Sequence, residues 1–461
     1  MKAPSFCMWT LLLSSCVIVE TPPPYAPPEG PPCEALPGTS EPVYLCEDVT
    51  QGLLFVREDG DDRAQGSRER PVRTLTQALV LASAQADKRA ILIAGSPVFN
   101  ESIEVTRGID LLGGFDADFT SDPQARPTIV SDRSPVVSLK NVPDSMRITR
   151  LNLTLNEGGG DGILYAASVF NSNLLVMHDV NVTLPDGQDG VNGASGQVGT
   201  DGVKGTAAGA GTAINPGQGG QNTACPDAAG GSGGRGGDAA MAAKPGEASY
   251  LGAMGGAAGQ QGQDGINGSP GQPGQSATSW SWSNGLFVSG QLAEPGEQGE
   301  PGQGGAGGGG GMAQGAQGGG GGAGGAGGCG GTGGQPGSSG QPVVGMFVEG
   351  STVILEGSTT LLLGHGGHAG RGGEGKAGGA GAPGLPGAAG AAGGQVGGRG
   401  GTGGAGGQGG AGGDGLAGES IGVFCVGGAL QLKDEASITP GQGGMQVDGS
   451  IAQSSEQVGC E

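Results

Sequence analysis

Ala90-Ile91-Leu92-Ile93-Ala94-Gly95, Phe99-Asn100-Glu101-Ser102-Ile103-Glu104-Val105 and Gly108-Ile109-Asp110-Leu111-Leu112-Gly113-Gly114-Phe115 are three short apolar runs separated by turn-sized intervals. The first run is continuous, as a strand buried on both faces requires. Short strands repeated at this spacing predict successive coils of a β-solenoid. Just upstream, Thr74 and Gln77 form a capping-box pair that opens an amphipathic segment in which Leu75, Ala78, Leu79 and Ala82 share one face. A helix is therefore expected to cap the first coil.

The wider order carries a resemblance. Phe55-Val56, Gly60-Asp61-Asp62, Gly66-Ser67, Pro71-Val72-Arg73-Thr74-Leu75, the helix, Ile91-Leu92-Ile93-Ala94-Gly95, Phe99-Asn100-Glu101-Ser102-Ile103 and Gly113-Gly114-Phe115-Asp116 follow one another. This order resembles the N-terminus of the right-handed parallel β-helix proteins related to pectin lyases, including the domain of unknown function 1565 type. It departs at Ser96-Pro97-Val98-Phe99, where that family has a Gly-Thr-Tyr turn. The resemblance covers about 60 residues and implies an all-β, right-handed parallel β-helix with an N-terminal capping helix; fold alone transfers no reaction.

Three later segments align from a phenylalanine. Phe170, Phe347 and Phe424 are followed six positions on by Val176, Val353 and Leu430, then by Leu184, Leu361 and Ile438, and then by Gly187, Gly364 and Gly441. One coil repeated three times explains the spacing, with the phenylalanines in one ladder. Gly285-Leu286-Phe287-Val288 begins a fourth, shortened copy ending at Gly296.

Between the copies the chain is nearly free of side chains: 88 of its 109 glycines lie within residues 187–418 of the 461. Glycine recurs every third residue at 187–205, 256–274, 296–311, 315–333, 372–393 and 394–418. Period three is polyproline II spacing, and glycine on one edge lets backbones approach closely. Antiparallel polyproline II bundles, flexible low-complexity loops and intermolecular collagen-like trimers all fit this pattern. Second glycines within triplets are read as loosening the chain, and the phase slip at Gly393-Gly394 as a hairpin reversal. Likeness to the PE-PGRS proteins is compositional only. The expected organisation is a signal peptide at 1–15, a Pro-rich tether at 16–48, the cap and first coils at 49–186, and glycine-rich insertions at 187–279, 296–340 and 364–419. Coils at 280–295, 341–363 and 420–461 separate or follow them.

Lys2 and the apolar run from Phe6 to Leu13 form an export signal. Leu13-Ser14-Ser15-Cys16 resembles the bacterial lipobox, which implies acylation of Cys16. Val17 stands where the inner-membrane-retained lipoproteins have aspartate, so display at the outer membrane or cell surface is expected. Six cysteines remain after processing, Cys33, Cys46, Cys225, Cys329, Cys425 and Cys460, an even number suited to disulfides in an exported chain. Proximity pairs Cys33 with Cys46 and Cys425 with Cys460, which leaves Cys225 for Cys329.

A net charge of −22 disfavours nucleic acid and anionic membrane surfaces as partners. The candidates for chemistry are few. His178 aligns with Leu355 and Leu432, so it reads as a core or edge residue. His365 and His368 are spaced for a metal but have no further ligand before Glu374. Gly409 to Leu416 matches a calcium nonapeptide once, whereas that chemistry needs stacked neighbours. Asp179, Glu349, Glu356, Asp434 and Glu435 lie on or near coils without recurring at equivalent positions. Trp280 and Trp282 alternate on one strand face as core aromatics or a small sugar-stacking platform. No catalytic residue, metal or cofactor is assigned. The expectation is a non-enzymatic, lipid-anchored surface protein of structural or interaction type, with a polysaccharide or protein partner outside the cell. A carbohydrate-active enzyme of pectin-lyase type and an ice- or water-ordering protein are the alternatives.

Overall fold

The computed structural model describes residues 52–156, 162–209, 214–283, 286–289 and 291–461, with the two short antiparallel strands Glu34–Ala35 and Tyr44–Leu45. Cys16, expected to be acylated, and Cys33 and Cys46, expected to pair, lie outside the described residues.

Strands of three to seven residues assemble into three parallel sheets. The first sheet has seven strands, from Leu53–Val56 to Ala429–Leu432; the second runs from Val98–Asn100 to Ser437–Thr439 and the third from Ile103–Val105 to Ser454–Val458, with six each. The chain visits them in rotation. Ser145–Thr149 lies in the first, Asn152–Leu155 in the second and Leu164–Phe170 in the third, and Leu174–His178 then pairs in parallel on Ser145–Thr149. Inward positions form continuous apolar columns: Leu175, Val353 and Leu430 are in register, as are Val182, Leu361 and Ile438. All six join one buried core. Full burial of such side chains contributes about 1.5–3 kcal/mol each.

The helix Leu75–Ala84 closes the N-terminal end as expected, with Leu75, Ala78 and Ala82 buried in that core. Its free backbone groups are satisfied from outside. Thr74 accepts the Gln77 N–H at 3.2 Å, and the Glu101 carboxylate accepts those of Leu75 and Thr76 at 3.1 and 2.8 Å. At the other end the Arg107 guanidinium donates to the carbonyls of Ala82, Gln85 and Ala86 at 2.5, 2.8 and 2.9 Å.

Two corners turn on a left-handed residue in four successive coils. Asn141, Asn171, Gly350 and Gly427 have φ of 54°, 46°, 55° and 57°; Arg150, Asp179, Gly357 and Asp434 have 51°, 54°, 64° and 56°. Asn, Asp and Gly tolerate this conformation best. These corners correct the register expected from the phenylalanines. Phe347 and Phe424 are paired, with ring centroids 6.0 Å apart, but the residue opposite Phe347 is Ser168. Phe170 lies two residues further along, opposite Lys140 and Glu349. A two-residue slip keeps the in–out alternation of a strand, so the apolar pattern does not penalise it. In the first sheet the offset is one residue, so His178 sits opposite Glu356 and Met177 takes the column of Leu355 and Leu432; Leu174 to Met177 are apolar at every position, so alternation does not register that shift.

The third corner, between second and third sheets, is spanned by residues 101–102 and 132–136 in early coils; in later ones the chain leaves the second sheet at Thr183 and Leu362 and reaches the third at Val343 and Ser420. The insertions expected at 187–279 and 296–340 are thus one excursion. The coil expected at 280–295 is instead an antiparallel hairpin, Trp280–Ser283 on Leu286–Ser289, that joins none of the three sheets.

The excursions are hydrogen-bonded to one another every third residue. Gly187, Gly190, Gly193, Gly196, Gly199 and Gly202 donate to the carbonyls of His365, His368, Arg371, Glu374, Ala377 and Ala380 at 2.7–2.9 Å, so these two tracts run parallel. Antiparallel pairs also occur: 296–311 returns as 319–334, and 367–388 returns as 397–418. The second reversal falls at the phase slip, where Gly393 has φ of 91° and the Gly394 N–H reaches the Ala391 carbonyl at 2.6 Å. All these contacts lie within one chain, which replaces the loop and trimer readings.

Glycine density reports how many neighbours a tract has. The outer tract 187–202 carries one glycine per triplet. The buried tract 319–334 carries two: a Cβ on Gly330 would overlap the carbonyl of Gly299, and one on Gly331 that of Lys376. Its third positions hold Ala323, Ala326 and Cys329, all buried. The second glycine is therefore a packing requirement, not a source of looseness.

A recurrent dipeptide locks the tracts. The side chains of Asp186, Asp189, Asn192 and Asp201 accept the N–H of His365, His368, Arg371 and Ala380 at 2.7–2.8 Å. The glycine that follows each donates to the carbonyl of that same partner residue. Asp264-Gly265 and Asn267-Gly268 grip Thr402 and Ala405 in the same way. Each Asx-Gly pair satisfies both backbone groups of one residue. Asp189→Ala is expected to destabilise the excursion by about 1 kcal/mol, the usual worth of one hydrogen bond. Asp189→Asn, which keeps the acceptor and drops the charge, should be close to neutral; thermal melts of both variants check this.

Cys225–Cys329 and Cys425–Cys460 are disulfides with Cα separations of 5.6 and 4.8 Å, the pairings expected for those four residues.

Candidate functional site

The corner after the first sheet gathers the densest set of charged side chains from the sequence candidates. His178 and Asp179 arrive from one coil, Glu356 and Ser358 from the next, and Arg147 and Arg150 from the coil before. Arg147 lies 3.1 Å from Glu356, Arg150 lies 3.7 Å from Asp179, and the His178 imidazole is 3.4 Å from each of Asp179 and Glu356. Asp110, buried behind them, accepts the Arg147 backbone N–H at 2.7 Å.

Burial alone would raise the Asp179 carboxyl. The N–H and hydroxyl of Ser358, both at 2.9 Å, together with His178 and Arg150, outweigh it and hold the group below the usual carboxylate range. A depressed carboxyl stabilises the fold above its unfolded-state pKa, near 3.9, and that contribution disappears as pH falls through the folded value. Asp179→Asn is expected to lower stability at pH 7 by up to about 1 kcal/mol, the range for partly exposed ion pairs. The gap to the unmodified chain should close towards pH 3 in calorimetric melts.

The set contains Ser, His and Asp but not in nucleophilic order. The Ser358 hydroxyl donates to the Asp179 carboxylate and not to the imidazole, so His178 is not placed to take its proton. Arg147 Nε, Thr149 Oγ1 and His178 Nδ1 are buried in this cluster without a hydrogen-bond partner.

The other candidates are dispersed. Asp434 accepts the Gly357 N–H at 3.2 Å one coil further on, Glu435 is exposed beside it, and Glu349 lies on the third sheet opposite Phe170 and Val426. His365 and His368 repeat the Asx role. Their Nδ1 atoms accept the N–H of Gln442 and Met445 at 2.8 Å, while Gly366 and Ala369 donate to the carbonyls of the same two residues. Asp186, His365 and Gln442 therefore form one row of clamps, and Asp189, His368 and Met445 the next. Glu374 pairs with Lys376 at 2.8 Å. In the nonapeptide match, Asp414 accepts the Gly372 N–H at 2.8 Å and so serves the lattice. Among the described residues no group of three His, Cys, Asp or Glu is arranged to hold a metal ion.

Trp280 packs on a second apolar cluster, Val344, Phe347 and Ile421, on the outer face of the third sheet, and its indole N–H donates to the Ala417 carbonyl at 2.8 Å. It fastens the hairpin to the sheets. The side chain of Trp282 lies outside the described residues. The Asx-Gly clamps were legible in the sequence as Asp or Asn before glycine at three-residue intervals, a signal that composition alone conceals.

Comparison with known proteins yields no match to any family model, curated protein or solved structure.

Proposed function

We propose that this chain is a non-enzymatic, lipid-anchored surface protein whose three sheets are the faces of a right-handed parallel β-helix and whose excursions form a bundle of polyproline II helices. The observation that carries this reading is the use of the polar side chains. Along the tracts, Asp, Asn and His groups that would otherwise be available for chemistry are spent on neighbouring backbone N–H groups, so the excursions act as a stiff structural extension. At about 3.1 Å per residue, the arm from Gly364 to Ala391 reaches roughly 80 Å from the coils. The lipobox-like Leu13-Ser14-Ser15-Cys16 and the following prolines supply an anchor and a tether for such an arm.

Labelling cells that express the chain with a clickable fatty acid, beside a Cys16→Ser variant, tests the anchor, and protease treatment of intact cells tests the display. Label on the unmodified chain only, with the arm accessible from outside, is expected. Incorporation by both or neither, or full protection from protease, would end the reading. Incubation with acidic polysaccharides, with and without calcium, addresses the non-enzymatic part: shortened products would overturn it.

A further inference from the structure

The reversals farthest from the sheets converge. Gly236 N–H donates to the Ile214 carbonyl at 3.0 Å, Gly237 N–H to that of Gly311 at 2.9 Å, Gly309 N–H to that of Gln260 at 2.9 Å, and Gln395 N–H to that of Met312 at 3.2 Å. Turns 237–243, 257–261, 312–317 and 389–396 therefore share one end of the bundle, with Ile214 beside them. Their composition is unlike the rest of the chain. Within these four turns the only charged residue is Asp238, and it is paired with Arg235. The exposed groups are alanine methyls, glutamine amides and three larger apolar side chains, Met241, Met312 and Val396, at 53%, 46% and 59% exposure.

We infer that this end is a contact surface for a second copy of the same chain, tip to tip. The argument is electrostatic. A body with net charge −22 repels its own copies wherever its charges approach within a Debye length, about 10 Å at 0.1 M salt. The uncharged tip, carried far from the coils, is the surface on which two copies meet without that cost. An uncharged surface is also self-complementary in charge, since neither partner leaves an ion buried without a counter-ion. Methionine adapts its shape to an apolar partner, as such a contact requires. The absence of aromatic rings in these turns removes the usual platform for stacking on sugars. The inference rests on the reading of the chain as a displayed interaction protein; chains anchored on facing cells would then join through their tips.

The test uses the purified full chain on beads, where multivalency reveals weak contacts. Beads carrying the unmodified chain are expected to clump, and to clump more as salt rises from about 0.05 to about 0.5 M, because screening relieves repulsion between the bodies. Met241→Glu, Met312→Glu and Val396→Glu together should reduce clumping at least about tenfold, and the corresponding glutamine variants should reduce it less. Val191→Glu with Ile266→Glu, exposed apolar residues on the tracts, should leave it unchanged. Failure of the unmodified beads to clump at any salt, clumping that survives the tip glutamates, or equal loss with the tract glutamates would each overturn the inference. None of these results depends on acylation or display, so they are separable from failure of the broader reading.

Discussion

Gly330→Ala is expected to unfold the glycine lattice, while Gly162→Ala leaves it intact. A Cβ on Gly330 meets the carbonyl of Gly299, and both backbones are held by hydrogen bonds every third residue, so neither can retreat without breaking its own row. The added methyl lies in the middle of the bundle, where Ala323 and Ala326 are already fully buried. The cost should exceed about 4 kcal/mol, the range reserved for changes that the structure has no room to absorb. Gly162 has nothing within 4 Å of the same added atom and serves as the control. Circular dichroism and protease sensitivity of the two variants distinguish them: loss of the lattice in the first and none in the second is predicted. The coils, whose core is made of apolar side chains, should persist in both.

Removing the Cys225–Cys329 bond is the second large effect. The bond joins the short turn Pro226–Ala228 to the buried tract and closes a separation of 104 residues. In the chain-entropy account, a loop of that length contributes about 4–5 kcal/mol. The double serine variant should therefore melt well below the unmodified chain. Loss of Cys425–Cys460, which spans 35 residues and pins the last strand of the third sheet, should cost less. Melts with and without reductant check the order.

Much of this architecture was legible, and the failures have physical causes. The capping helix announced itself through Thr74 and Gln77, the strand at 90–94 through an unbroken apolar run, and the strand at 110–115 through Leu111, Leu112 and Phe115. The reversal at Gly393-Gly394 was visible because a break in period is itself a signal. The register of the earliest repeat was not, because alignment on Phe170 used an aromatic that occupies no conserved place in the coil. The corner residues Asn171, Gly350 and Gly427 give the correct spacing, since a left-handed turn restricts residue type more than an apolar position does. An offset of one residue in the first sheet hid the site, because it moved His178 into an apolar column and away from Glu356. The hairpin at 280–289 reads as a coil in the sequence because alternation of apolar and polar residues does not distinguish parallel from antiparallel partners. Glycine pairs suggest a loose chain because composition does not reveal how many neighbours a segment has.

Hydrogen–deuterium exchange on the intact chain, read at residues 319–334, tests the central claim most directly. Amides of Gly322, Gly325, Gly328 and Gly331 donate to the carbonyls of Gly398, Gly401, Gly404 and Gly407 at 2.8–3.1 Å in the interior of the bundle. They are expected to be protected as strongly as the strand Val343–Glu349 in the third sheet. Complete exchange of this tract within seconds, with the strand still protected, would contradict the account.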